Sequence, residues 1–179
     1  EKPDVTVLTG DYVTNSRSPL DQVPRVLAGL EGPTYAILGN HDHHVGARDV
    51  RERVERMGYP VLQNQHTVVR VKGADLSVIG IDDGRTRHDD VAQALKGVET
   101  RSKLVLAHTP PTFDKLPGAL AFPDRAPPDD RVIVRIGDTD NTFREGTGDD
   151  DGRLGGAPGC VEPVFVEEVF ARGLGDELV

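Results

Sequence analysis

The sequence contains a single cysteine, no tryptophan and no excess of basic residues, and these shortages exclude several classes of protein. Because Cys160 stands alone among 179 residues, no disulfide can form within the chain, which fits a reducing compartment. Asp and Glu number 30 against 21 Lys and Arg, for a net charge of −9, so the surface is unsuited to binding nucleic acid through its phosphates. No apolar run approaches the ~20 residues of a membrane span, and no signal peptide is visible.

Apolar residues are also scarce, at 36% of the chain, whereas Gly and Pro number 20 and 13. The shortage is concentrated in the last third, which is rich in Gly, Pro, Asp and Arg, and no lysine follows Lys115. We therefore predict a core over residues 1–120 and a divergent, irregular tail over 121–179. Within the tail, residues 132–136 resemble a strand and 164–174 predict a short helix. The tail composition suits a disordered linker and also out-of-frame translation of a GC-rich gene.

Strands and helices alternate through the predicted core. Short apolar runs bounded by Gly or Pro are typical of buried strands, and apolar residues at helical spacing are typical of amphipathic helices. The predicted elements are strands at 5–9, 35–38, 59–62 and 103–107, a hairpin of 66–71 with 76–81, and helices at 21–30, 49–57 and 89–95. This alternation predicts an α/β fold that begins with a strand–helix–strand unit.

Polar side chains that can carry chemistry follow three of these strands directly. They are Asp11 after the first strand, Asn40, His41 and Asp42 after the second, and His108 after the strand at 103–107. Because open α/β sheets place their ligand sites at the carboxyl ends of strands, we expect these side chains to lie close together. The sequence therefore predicts a single site at this end of the sheet.

The residue types at the three strand ends favour a divalent metal ion. Carboxylate, amide and imidazole donors from Asp11, Asn40 and His108 suit Mn²⁺, Fe²⁺ or Zn²⁺ better than an all-oxygen Ca²⁺ cage. His41 is the candidate to protonate a leaving oxygen or to stabilise charge on a phosphate. Asp42 is the candidate to hold that imidazole in one tautomer. We assign His41 and Asp42 to catalysis on this basis.

Each motif also has an ordinary structural explanation. A Gly-Asp after a strand is commonly a turn, and a single histidine is commonly a hydrogen-bonded structural residue. The run 39–42 is more specific, because few structural reasons bring Gly, Asn, His and Asp together after a buried strand. His43 and His44 extend it; His43 is assigned to substrate binding with Asn40 and His41, although exposed loop histidines are common.

The motifs Leu8-Thr9-Gly10-Asp11, Leu38-Gly39-Asn40-His41-Asp42 and Leu106-Ala107-His108-Thr109-Pro110 together resemble the calcineurin-like metallophosphoesterase superfamily, in particular its small bacterial members. The resemblance covers residues 4–118. It implies a four-layer αββα sandwich with a dinuclear metal centre at the strand ends. By resemblance, Asp11 is the bridging carboxylate, Asn40 and His108 are ligands of the second metal, and His41 faces the phosphate.

The sequence departs from the family pattern at two places. The family's opening strand, which ends in Asp-x-His, is absent, and so is its closing Gly-His-x-His motif, since no histidine follows His108. The expected fold is therefore an incomplete sandwich that lacks its N-terminal strand. The second metal keeps most of its ligands and the first keeps only Asp11, so a single retained site is expected. A missing strand would leave an unpaired sheet edge, which predicts self-association.

The resemblance implies a metal-dependent phosphoesterase that hydrolyses phosphate mono- or diesters, with a small-molecule or lipid phosphoester as substrate. The missing ligands predict impaired activity in this chain. They also support an alternative, a truncated non-catalytic domain that binds metal weakly or serves as a scaffold. The expected location is cytoplasmic, or membrane-associated through a segment upstream of residue 1.

Overall fold

The computed structural model describes residues 3–14, 17–117, 131–136 and 166–169. The strands are β1 (Val5–Leu8), β2 (Thr34–Ala36), β3 (Gln65–Val71), β4 (Ala74–Gly80), β5 (Ser102–Ala107), β6 (Arg131–Ile136) and β7 (Val166–Val169). The α-helices are α1 (Val23–Val26), α2 (Asn40–Arg56) and α3 (Val91–Leu95), and short 3₁₀ helices span Ser18–Asp21 and Pro110–Lys115.

The strands form two mixed sheets. The first has the order β2-β1-β7, in which β1 runs parallel to β2 and antiparallel to β7. The second has the order β3-β4-β5-β6, in which β3 and β4 form an antiparallel hairpin and the other pairs are parallel. The expected α/β class is therefore confirmed, as are the hairpin and the strand predicted at 132–136.

The two sheets face each other across an apolar core. Successive side chains of a strand point to opposite faces, so alternate residues of each strand enter this core. Val5 and Val7 of β1 pack there with Val78 of β4 and with Leu104 and Leu106 of β5. All five side chains are fully buried. Two strands that build this core, β1 and β5, are ones whose ends were predicted to carry the site.

Helices cover the outer face of each sheet. Leu8 of β1 packs with Val23 of α1 and Val50 of α2 on one side. Val105 of β5 packs with Ala94 of α3 on the other side. The order helix, sheet, sheet, helix is the four-layer αββα arrangement that the resemblance implied.

Several element boundaries differ from the sequence-based expectation. The helix predicted over 21–30 is reduced to α1, and the strand predicted at 59–62 is an isolated bridge between Val61 and Ala36. The helix predicted from residue 49 begins at Asn40 and is kinked at Gly46, where φ is 136°. The polar start of α2 has the composition of a loop, and the kink interrupts its helical periodicity, which explains why the sequence did not show its first turns.

The edge of β1 that we expected to be unpaired is occupied, so that expectation is wrong. β7 pairs with it over its whole length, from Val5 opposite Val169 to Leu8 opposite Val166. The short helix predicted over 164–174 is wrong at Val166–Val169, which form a strand. The local apolar pattern suits a helix or a strand, and pairing with β1 selects the strand. Self-association stays a prediction, without the open edge that suggested it.

The division into a core and a tail at residue 120 also stays a prediction. Two segments beyond that point, β6 and β7, pair with β5 and β1 and so belong to the two sheets.

Among the helices that the structure describes, none has both the length and the apolar composition needed to cross a bilayer.

Gly80 at the end of β4 lies directly against Leu62 and Ile37, so a side chain there is expected to destabilise the fold. A Cβ at this position would collide with the Leu62 side chain and would lie 2.9 Å from Cγ2 of Ile37. Gly80→Ala should lower the free energy of unfolding by about 1–3 kcal/mol, because a packed interior has no room for an added methyl group. Urea denaturation measures this change. Val68→Ala, at a half-exposed position of β3, is the control and should change stability little; equal midpoints for all three proteins would contradict the close packing.

Candidate functional site

The carboxyl ends of β1, β2 and β5 meet at one place, as the sequence predicts. His108, which follows β5, is bound to the segment that follows β1. Its Nδ1 lies 2.7 Å from the carbonyl oxygen of Thr9, and its Nε2 lies 3.2 Å from Oδ2 of Asp11. The imidazole is 2% exposed and the carboxylate 18%. A ligand pair predicted from residues 97 positions apart in the chain is thus brought into contact by the packing of the two sheets.

The contacts of His108 determine which ring nitrogen is free to act as a ligand. A carbonyl oxygen only accepts hydrogen bonds, so Nδ1 carries a hydrogen and donates it to Thr9. Nε2 faces Asp11 and is buried without a hydrogen-bond partner among the described residues. Burial alone would lower the pKa of His108, but the Asp11 carboxylate and the Thr9 carbonyl outweigh it and raise the pKa to about 9. Below this pKa Nε2 carries a proton that faces Asp11, and a cation held by both side chains would take the place of that proton.

Gly39 is required because the carboxylate and the imidazole lie directly against its backbone. A Cβ at this position would collide with Oδ1 of Asp11 and would lie 2.7 Å from Cε1 of His108. Gly39 is also the N-cap of α2, so the next residue, Asn40, begins the helix beside both side chains. The glycine of the sequence motif therefore lets Asp11 and His108 lie against the backbone that leads into Asn40.

Asn40 and His41 begin α2 at the site. Asn40 is 4% exposed. The backbone N–H of His41 donates to Oδ1 of Asp11 at 3.0 Å, so the turn that carries His41 is attached to the candidate ligand. Nδ1 of His41 is buried and has no hydrogen-bond partner in the described part of the chain. The ring of His44 meets that of His41 edge-on, with centroids 6.4 Å apart.

Asp42 has a different role from the one that the sequence suggested. Its carboxylate is fully buried, and instead of holding the His41 ring it accepts four backbone N–H groups. Oδ2 accepts from Gly39 at 2.9 Å and Asp11 at 2.8 Å, and Oδ1 accepts from Tyr12 at 2.9 Å and Val13 at 3.3 Å. Burial raises the pKa of Asp42 to about 7 against the opposing effect of these bonds. Asp42 therefore joins the segment after β1 to the start of α2.

This clamp holds Asp11 in an uncommon backbone conformation. Asp11 has a φ of 57°, in the left-handed region that residues other than glycine seldom adopt. Its N–H donates to Asp42 and its Oδ1 accepts the N–H of His41, so Asp11 is held from both sides. The conformation turns the Asp11 side chain toward His108, so the strain is coupled to the geometry of the site.

Sequence reasoning missed two buried carboxylates, Asp82 and Asp83, which follow β4. Asp82 Oδ1 lies 2.7 Å from Nε2 of His43, and Asp83 Oδ1 accepts the hydroxyl of Thr109 at 3.3 Å. The hydrogen bond from His43 outweighs burial and lowers the pKa of Asp82, and the same carboxylate raises the pKa of His43 against the effect of its burial. The sequence signal was present, because an apolar strand is followed there by side chains that can carry chemistry, as at the other three strand ends.

The donors that converge fit part of a divalent cation centre. Nowhere in the described ranges do three or more His, Cys, Asp or Glu side chains come together as a metal-binding group. The buried Nε2 of His108 and the Asp11 carboxylate face each other, and Asn40 follows the glycine that touches both. One imidazole, one carboxylate and one amide suit a borderline ion such as Mn²⁺, Fe²⁺ or Zn²⁺.

Comparison with known proteins agrees with this geometry. The family model of the calcineurin-like phosphoesterases matches residues 1–138. The chain belongs to the calcineurin-like phosphoesterase family. Members of this family use divalent metal ions, and the αββα layers and the strand-end motifs of the chain are those that the resemblance implied.

Three curated bacterial proteins are similar to this calcineurin-like phosphoesterase. An uncharacterized metallophosphoesterase of Aquifex aeolicus is 32% identical over 123 residues, which are 64% of the chain and 46% of that protein. The uncharacterized metallophosphoesterase YkoQ of Bacillus subtilis is 28% identical over 60% of the chain and 42% of its own length. The phosphodiesterase YaeI of Escherichia coli is 33% identical over 62% and 42%. The chain thus spans less than half the length of these relatives.

The role of Asp42 leads to a stability prediction. In Asp42→Asn one carboxylate oxygen becomes an NH₂ donor, and in either orientation of the amide two backbone N–H groups face that donor. Because each buried group left unsatisfied costs about 1–3 kcal/mol, the two N–H groups should lower the free energy of unfolding by roughly 2–6 kcal/mol. Urea denaturation at pH 8, above the pKa of about 7, measures it.

Asp49→Asn is the matched control for this measurement. Asp49 lies on the same helix, is 44% exposed and pairs with Arg17 at 3.1 Å. Exposed ion pairs contribute little to stability, so this variant should unfold almost as the unmodified protein does. If Asp42→Asn were no less stable than Asp49→Asn, the clamp would not hold the site together.

Proposed function

We propose that this chain is a metal-dependent phosphoesterase that hydrolyses phosphodiesters, with Asp11, Asn40 and His108 as the ligands of one cation and His41 as the catalytic imidazole. The observation that carries the proposal is the buried approach of His108 Nε2 to Asp11 Oδ2 at 3.2 Å beside the turn that bears His41. Membership of the calcineurin-like phosphoesterase family supports the reaction class. The name of one relative, phosphodiesterase YaeI, supports the choice of a diester.

The protein's own groups supply binding and proton transfer at this site. A bound divalent cation supplies charge neutralisation at the phosphate and lowers the pKa of water. Asp11 and His108 are held ready for it, since neighbouring hydrogen bonds already determine the orientation of both side chains. His41 has a buried Nδ1 without a partner among the described residues, so this ring is available to a phosphate oxygen or to the proton of a leaving group.

The number of cations is part of the proposal. The family resemblance implies two, whereas the converging donors of the described residues serve one. We therefore propose one cation per chain for this segment, with weaker hydrolysis than a dinuclear centre provides. The alternative from sequence, a non-catalytic metal-binding or scaffold domain, predicts cation binding without hydrolysis.

A small-molecule or lipid phosphodiester is the proposed substrate. The single cysteine supports a reducing, cytoplasmic setting.

Activity measurements test the proposal directly. With Mn²⁺, the full chain should hydrolyse bis(p-nitrophenyl) phosphate, and His41→Gln should lower kcat by about 10²–10⁴-fold, the usual contribution of a general acid. Asp11→Asn should lower kcat/KM to a similar extent because it removes a charged ligand. His66→Gln and Asp75→Asn are the controls, since His66 bonds to the carbonyl of Ala94 and Asp75 pairs with Arg70. Equal rates for wild type, His41→Gln and Asp11→Asn would refute the assignment.

Metal binding is tested separately from turnover. Calorimetric titration with Mn²⁺ should give one ion per chain, and Asp11→Asn should abolish the signal while Asp75→Asn retains it. Bound Mn²⁺ should also stabilise the fold, by about 2.7 kcal/mol at a concentration one hundred times the dissociation constant, and EDTA should reverse the effect. Two tightly bound ions would contradict a single centre, and binding without hydrolysis would favour the non-catalytic alternative.

A further inference from the structure

The carboxylate of Asp82 makes a short, buried contact with His43, and the proposed function assigns no role to Asp82. Oδ1 of Asp82 lies 2.7 Å from Nε2 of His43, and the two side chains are 5% and 6% exposed. The other groups around Asp82 are also donors: Gln63 Nε2 donates to Oδ2 at 2.9 Å, and the Asp83 N–H donates to Oδ1 at 2.9 Å. A carboxylate accepts, so the hydrogen of this contact is on His43 Nε2.

This pair lies between the elements that hold two of the candidate ligands. His43 is three residues after Asn40, and residues at this spacing share one face of a helix, so its ring is on the ligand side of the first turn of α2. Asp83, next to Asp82, bonds to Thr109, which directly follows His108. The His43–Asp82 contact therefore joins the first turn of α2 to the loop after β4, which is itself bonded to the residue that follows His108.

The loop that carries Asp82 is closed by one side chain. Oδ1 of Asn64 accepts the N–H groups of Asp82 at 3.0 Å and of Asp90 at 2.8 Å, and Nδ2 of Asn64 donates to the carbonyl of His88 at 2.7 Å. The ring of His88, in the same loop, stacks on His43 with centroids 4.1 Å apart and planes 17° apart. The His43 ring is therefore held at one edge by Asp82 and on one face by His88.

We propose that Asp82 is a positioning residue that fixes His43 as a cationic imidazolium at the rim of the site, where the ring binds the anionic phosphoester substrate. A carboxylate this close in a buried setting favours the charged form of a histidine, and a fixed cation attracts a phosphate without the cost of ordering a free side chain. The inference rests on the proposed function, because it assigns the group that binds the substrate of that reaction. Asp82 acts through His43 and does not itself touch the substrate.

Steady-state kinetics of the full chain with Mn²⁺ and bis(p-nitrophenyl) phosphate test this assignment. Asp82→Asn keeps the shape of the side chain and removes its charge. It should raise KM about tenfold, which is the smaller of the effects usually seen when a supporting hydrogen bond is lost, and it should change kcat less. His43→Gln should raise KM to a similar extent. The double variant should be no worse than His43→Gln, because Asp82 acts through that ring. Asp75→Asn, which removes an exposed carboxylate of the β3–β4 hairpin, should leave KM unchanged.

Ring NMR of the metal-free protein gives a readout that does not depend on turnover. In the unmodified chain, ¹⁵N-edited spectra should show a hydrogen-bonded Nε2–H on His43, and in Asp82→Asn this signal should shift or exchange rapidly with water. Asp75→Asn should leave it in place. Thermal unfolding of each variant shows whether the variant is folded at the temperature at which KM is measured.

The outcomes separate this inference from the proposed function. If the unmodified chain hydrolyses the substrate and Asp82→Asn or His43→Gln leaves KM unchanged, the inference is wrong while the phosphoesterase function stands. If the effects of the two substitutions multiply in the double variant, Asp82 does not act through His43. If Asp82→Asn does not fold, His43→Gln and the ring signal of the unmodified chain decide. If the unmodified chain hydrolyses nothing with Mn²⁺, the proposed function fails and this inference fails with it.

Discussion

The site depends on one buried carboxylate, that of Asp42, which accepts four backbone N–H groups from two separate segments. Three of those groups belong to residues 11–13 and one to Gly39, so the bonds join the end of β1 to the start of α2. Together with the bond from the His41 N–H to Asp11, they hold Asp11 in its left-handed backbone conformation, in which its side chain faces His108. This buried carboxylate thus helps to determine the positions of the candidate ligand Asp11 and of the helix start that bears His41.

The second constraint is the contact between the two sheets. Each sheet supplies part of the site, since Asp11 and Asn40 follow strands of the first sheet and His108 follows β5 of the second. The bond from His108 Nδ1 to the Thr9 carbonyl and the contact of His43 with Asp82 both cross this junction. The apolar core between the sheets therefore sets the distance between the candidate ligands Asp11 and His108.

The sequence predicted the fold class, the hairpin and the contact between the strand ends that carry Asp11 and His108; the ligand role of Asn40 stays a prediction. It failed where two structures suit the same local pattern. Residues 166–169 have an apolar pattern that suits a short helix or a strand, and pairing with β1 selects the strand. The sequence identified Asp42 as a candidate site residue but could not identify its partners. The motif is the same whether the carboxylate bonds to the neighbouring histidine ring or to backbone groups far away in the chain.

What the sequence determined by itself is local: alternating and helical hydrophobic patterns, glycines at turns, and the types of donor that follow each strand. These depend on neighbours within a few residues, and so do the strands and motifs that identify the family. What the tertiary structure decided depends on partners far apart in the chain, such as Asp42 with Asp11 at 31 residues, His43 with Asp82 at 39 and His108 with Thr9 at 99. Such contacts form only when two sheets pack face to face, and no short-range pattern records them.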